Sequence, residues 1–172
     1  IRGLTEEEII PLAEFARERR LELRFIEFMP LDSEHHLSND QLLTGADIRR
    51  VVEGHWGPLI PAPRSNPSQP AVDYYFADGQ FADGRGSIGF INPVSEPFCG
   101  DCNRLRLTAE GQVRNCLFST VEWDARRVLR GGGSDDDLRA LVIESVAAKA
   151  AAHGIGQSDF HQPERAMYQI GG

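Results

Sequence analysis

The chain has 172 residues, 41% hydrophobic and 26% charged, the balance of a soluble globular protein. A net charge of −8 excludes a broad basic surface for nucleic acid or anionic lipid. No apolar run approaches the roughly 18 to 20 residues needed to cross a bilayer, and the amino terminus IRGLTEEEII shows no signal-peptide pattern. The expectation is a cytoplasmic protein with neither nucleic acid nor membrane as partner.

In chain order, Thr5 with Glu8 reads as a capping box, and Ile9, Leu12, Ala13 and Ala16 follow helical spacing to about Arg19. Leu21 to Met29 alternates polar and apolar residues and stops at Pro30, which predicts a strand. Glu27 on that strand suits either a buried carboxylate or a half-exposed position. One helix–strand unit at the start of a chain lacks a preceding strand partner, and there is no initiator methionine, so a longer parent is expected.

Leu31 to Asn39 reads as polar loop, with His35 and His36 on its surface. Thr44 is placed to cap a short helix from Gly45 to His55. Ser65 to Pro70 reads as a turn, and Gly84 to Gly89 as a glycine-rich turn leading into a strand. Short strands are predicted at 71–77, 86–91, 103–108 and 112–118, the last two joined through Ala109-Glu110-Gly111. Ser134 caps a predicted helix ending at Gly154, with Leu138, Leu141, Val142 and Val146 as its apolar face. Asp135, Asp136 and Asp137 complement the dipole of that helix rather than forming a cation site.

The three cysteines of the chain, Cys99, Cys102 and Cys116, are spaced Cys-x2-Cys-x13-Cys. A close pair and a third thiol at hairpin distance can hold one metal centre with a position left open. Zinc with His153 or His161 as fourth ligand competes with iron–sulfur. Neither histidine has local ligand spacing, and zinc leaves the neighbouring arginines unexplained, so iron–sulfur is favoured. Strand alternation puts Arg104 and Arg106 on one face and Leu105 and Leu107 on the other. Two guanidiniums beside an open metal position suit a polyphosphate or carboxylate. Of the 18 basic residues, only Lys149 is lysine.

Phe98-Cys99-Gly100-Asp101-Cys102-Asn103-Arg104-Leu105-Arg106-Leu107-Thr108, with Gly111 and Cys116-Leu117-Phe118, resembles the molybdenum cofactor biosynthesis protein A (MoaA) family of radical S-adenosylmethionine GTP 3′,8-cyclases. Arg24 to Pro30 is similar to the last barrel strand of that family, and Gly171-Gly172 to its terminal diglycine. The resemblance implies an α/β parent, α+β in this fragment. Residues 1–32 would be the last helix–strand unit of an incomplete TIM-type barrel, and 33–172 an antiparallel-sheet and helix extension.

It further implies a [4Fe–4S] cluster on Cys99, Cys102 and Cys116, with GTP held at Arg104, Leu105 and Arg106. Met29 would lie at an S-adenosylmethionine pocket, and Arg24, Gly171 and Gly172 at the active site. The family's second [4Fe–4S] cluster uses a Cys-x3-Cys-x2-Cys motif that this sequence lacks. The expected reaction of the parent is conversion of GTP to (8S)-3′,8-cyclo-7,8-dihydroguanosine 5′-triphosphate, with this fragment alone inactive and a homodimer expected. The alternative is a non-catalytic module with a structural zinc or iron–sulfur centre.

Overall fold

The computed structural model describes residues 1–29, 31, 39–78, 86–155, 158 and 160–170. The chain divides into two compact units, Ile1–Met29 with Ser38–Cys102, and Pro30–Leu37 with Asn103–Gly172.

The first unit opens on a 3-10 turn, Glu6–Glu8, running into helix α1, Ile9–Glu18. The expected Thr5 capping box does not form. Thr5 Oγ1 instead accepts from the Ile1 ammonium at 2.9 Å and donates to the Ile1 carbonyl at 3.1 Å, and it makes no cap bond to the helix end. Ile9, Ala13 and Ala16 are buried, whereas Leu12 lies on the exposed flank. Strand β1, Leu23–Ile26, turns Leu23 and Phe25 toward the core and exposes Arg24 and Ile26.

Helix α2 spans Gly45–Trp56, and Thr44 caps it: its hydroxyl accepts from Asp47 N at 3.1 Å while the Asp47 carboxylate accepts from Thr44 N. Strands β2 (Leu59–Pro61), β3 (Val72–Phe76) and β4 (Ile88–Ile91) follow. They form a sheet in the order β1-β4-β3-β2, parallel only between β1 and β4. The short β2 carries no alternation that the sequence reading could detect. Ile9, Ile48, Val52, Leu59, Phe76, Ile88 and Phe90 make the core between the helices and the sheet. Arg17 reaches over that layer, with its guanidinium 4.4 Å from the Phe76 ring centre and its tip 2.5 Å from Asp78.

The second unit holds the antiparallel sheet β5 (Arg106–Leu107), β6 (Gln112–Arg114) and β7 (Trp123–Asp124), then helices α3 (Ala125–Arg130) and α4 (Asp135–Ala147). Gly111 closes the β5–β6 hairpin at φ +82°, and a Cβ there would sit 2.7 Å from Arg126 Cβ. Ser134 caps α4 in a reciprocal bond with Asp137, which places the acidic run in the first helical turn as expected.

Helix α4 ends at Ala147 rather than Gly154. Leu138, Leu141 and Val142 are half-buried, but Val146 is exposed and Ser145 takes the buried position. Helices beside largely antiparallel sheets give the α+β arrangement expected. Among the described residues, no helix is long and apolar enough to cross a membrane. His35, His36, Gly84 and Arg85 lie outside the described residues.

Candidate functional site

Cys99 opens a 3-10 turn, Cys99–Asp101, and Cys102 follows in extended backbone, its N–H donating to the Cys99 carbonyl at 3.1 Å. This turn presents two sulfurs from one short stretch. Cys116 lies just beyond β6, at the start of a turn in which Ser119 N donates to the Cys116 carbonyl at 3.3 Å. All three cysteines are half-buried thiols. The close pair belongs to the first compact unit and Cys116 to the second. Among the described residues, no three His, Cys, Asp or Glu side chains are gathered as a metal site. A set of three thiols is nevertheless the donor chemistry that an iron–sulfur cluster takes.

Strand β5 is shorter than the predicted 103–108, yet the alternation persists along the whole segment. Arg104 and Arg106 are half-buried, whereas Leu105 and Leu107 are 40% and 63% exposed. A solvated strand face would show the opposite order, because charged side chains normally take the wet side. Arg106 and Leu105 also line an open groove of about 740 Å³ whose walls include Leu107, Leu129, Leu138 and Val142.

Cys116 is bracketed by its own neighbours. Arg114 is 2% exposed, and its guanidinium donates to the carbonyls of Leu117 (3.4 Å) and Ser119, both beyond the cysteine. It also donates to Glu122 Oε1 at 2.6 Å. Asn115 is buried and donates through Nδ2 to the Ser145 carbonyl of α4 at 2.8 Å. The predicted strand 112–118 therefore stops at Arg114, because these side chains fold the backbone into a turn rather than leaving it in a ladder.

Glu122 and Arg165 tie the later chain to this turn. Arg165 Nε lies 2.7 Å from Glu122 Oε1, and its NH1 donates to Glu110 at 3.3 Å. Burial pushes the Glu122 carboxyl up, but hydrogen bonds from Arg165 and Arg114 outweigh it and hold the group below its ordinary value. A lowered folded-state value means that the unfolded chain binds more protons in that window. The contribution is complete above pH 4.5 and is lost as pH falls through the folded value. Urea midpoints measured from pH 6 to 3 are expected to fall less steeply for Glu122→Gln than for the parent.

The remaining sequence-derived candidates are more dispersed. Met29 is half-buried just after β1, and Arg24 is exposed on β1 with its guanidinium 3.4 Å from Glu22. Gly171 and Gly172 lie outside the described residues, although Ile170 before them is fully buried. His153 packs at a tilt against Phe118 with ring centres 4.9 Å apart, and its Nδ1 accepts from Ile155 N at 3.0 Å.

The residue that sequence reasoning left undecided is Glu27. It is 2% exposed. It accepts from Gly45 N (3.0 Å), Val94 N (3.1 Å), Ser95 N (2.9 Å) and the Ser95 hydroxyl. The carboxylate joins the end of β1 to the start of α2 and to the turn after β4. Gly45 also lets the Asn92 side chain approach the start of α2, since a Cβ there would fall 2.0 Å from Asn92 Oδ1.

Relatives match this chain over all or nearly all of its length. The GTP 3′,8-cyclase of Rhodopirellula baltica is 47% identical over 173 residues, covering 100% of this chain and 47% of that protein. The GTP 3′,8-cyclase of Syntrophomonas wolfei is 40% identical over 172 residues, covering 100% and 51%. GTP 3′,8-cyclase 2 of Mycobacterium bovis is 43% identical over 166 residues, covering 96% and 46%. The chain spans about half the length of the curated relatives it matches. The family described as Molybdenum Cofactor Synthesis C matches residues 21–155, and the chain belongs to that family.

Proposed function

We propose that this chain is the nucleotide-holding portion of a GTP 3′,8-cyclase, acting in molybdenum cofactor synthesis together with the remainder of that enzyme. The observation that carries the reading is the inverted alternation at 104–107, with arginines covered and leucines exposed, beginning two residues after Cys102. Half-buried guanidiniums are suited to holding a charged ligand.

In this reading Cys99, Cys102 and Cys116 hold a [4Fe–4S] cluster. When bound, the cluster supplies an iron with one position open to a ligand atom of the guanine. Arg104 and Arg106 neutralise the phosphates and fix their direction, and Leu105 lies along the edge of the nucleotide. Their contribution is orientation, which lowers the entropic part of the barrier. Residues 1–32 are read as the end of a barrel, with Met29 toward S-adenosylmethionine. The chain by itself neither cleaves that cofactor nor cyclises GTP, since it lacks the second cysteine triplet.

Anaerobic reconstitution with iron and sulfide, followed by a GTP titration read by visible and electron paramagnetic resonance spectra, tests this function. The expected result is a brown protein whose spectrum shifts with GTP. A colourless protein that takes zinc and ignores GTP would sink the reading. Arg104→Ala with Arg106→Ala is expected to keep its iron while GTP affinity drops about 100-fold or more, since hydrogen bonds to charged groups are worth about 1.5–3 kcal/mol each. Parental GTP affinity in that variant rules out the arginine clamp.

A further inference from the structure

Lys149 is the one lysine in a chain with 18 basic residues. Its ammonium donates to two main-chain carbonyls, Arg104 O at 3.0 Å and Asn115 O at 2.8 Å. One belongs to the residue that leads the arginine pair, the other to the residue before Cys116. Both carbonyls sit just outside the β5–β6 ladder, whose paired residues are Arg106 with Arg114 and Leu107 with Val113.

The ammonium thus bridges two backbone segments where ladder pairing has ended. Asn115 is held a second time from the same helix end, through its amide on the Ser145 carbonyl. Helix α4 stops at Ala147, two residues before the lysine.

The choice of lysine has a physical reason. A compact ammonium offers three donors on a flexible stem and can converge on two carbonyls from different segments. A guanidinium is bulkier and sends its donors out in one plane, so it meets carbonyls at a different spacing and direction. The lone departure from arginine falls at this bridge.

We infer that Lys149 is a positioning residue for the proposed nucleotide site, fixing the spacing between the Arg104 segment and the Cys116 turn. The inference rests on the proposed function for its purpose, but its geometry is independent of it. A fixed spacing lets a ligand meet the arginines and the cysteine without first ordering the backbone between them, which is the cost that preorganisation removes.

Hydrogen–deuterium exchange on the metal-free chain tests the geometry directly. In Lys149→Met, amides in 103–107 and 114–118 are expected to exchange about tenfold faster than in the parent, the loss of at least one charge-assisted hydrogen bond. Amides in 135–147 should keep the parental rate. Lys149→Arg should behave like the methionine variant. Parental exchange in Lys149→Met, equal acceleration throughout α4, or full rescue by arginine each overturns the inference.

In the iron-reconstituted chain, Lys149→Met should retain iron while GTP affinity falls about 10- to 100-fold, the equivalent of one charge-assisted hydrogen bond no longer holding the site in order. Unchanged GTP affinity and unchanged paramagnetic spectra in that variant also overturn it. If the parent takes up no iron or ignores GTP, the proposed function fails, and the exchange measurement still decides the role of Lys149.

Discussion

Replacing Glu27 with alanine is expected to destabilise the first unit by about 3 kcal/mol, which equilibrium urea unfolding would measure. Its carboxylate satisfies three main-chain N–H groups and one hydroxyl drawn from α2 and the turn after β4. Alanine leaves those donors without an acceptor, and each buried orphan costs about 1–3 kcal/mol. Ser95 is exposed, so water recovers part of the loss at that end. Glu27→Gln keeps one acceptor oxygen and presents an amide to donors, so its loss is expected near half that of alanine. An alanine variant as stable as the parent would mean that the carboxylate is dispensable to the fold.

Arg114→Ala is the second large effect, expected at about 3 kcal/mol in the same measurement, the lower end for breaking a buried ion pair. Arg114 is nearly inaccessible, while Glu122 keeps Arg165 as a remaining partner. The decisive contrast is Arg165→Ala, where the lost arginine is more exposed and the cost should be about 1 kcal/mol or less. Arg114 also holds the turn that begins at Cys116, through the carbonyls of Leu117 and Ser119. Iron retention after reconstitution should therefore fall in Arg114→Ala and remain near parental in Arg165→Ala. Equal losses of stability in the two variants would show that burial of Arg114 has no special weight.

Much of the local architecture was legible because it is written in short-range chemistry. Thr44 and Ser134 lie three residues before an aspartate, and both caps form. The Ala109-Glu110-Gly111 connection works because Gly111 adopts a positive φ against Arg126. Most features that were misread depend on distant partners, the local exception being Thr5, which turns to Ile1. Ala147 to Ala151 has helix-forming composition, yet the chain leaves the helix where Lys149 engages Arg104 and Asn115. The predicted strand 112–118 stops short where Arg114 and Asn115 turn the backbone.

The candidate site divides along the same line. The cysteine spacing and the arginine alternation were visible, since both repeat over a few residues. The supports were not. Arg114 looks like any strand arginine until its partners at 117, 119 and 122 are known. Glu27 could not be resolved between core and surface because its acceptor role is set by amides 18 and 67 or more positions away.

That separation also bears on how the first unit assembles. The side-by-side run of β1 with β4 gains no stability until a loop of more than sixty residues has been closed, and closing it costs entropy before any contact repays it. A hairpin such as β5–β6 meets no comparable barrier. The pairing of β1 with β4 is thus completed only after the whole of that loop and β4 itself have been made.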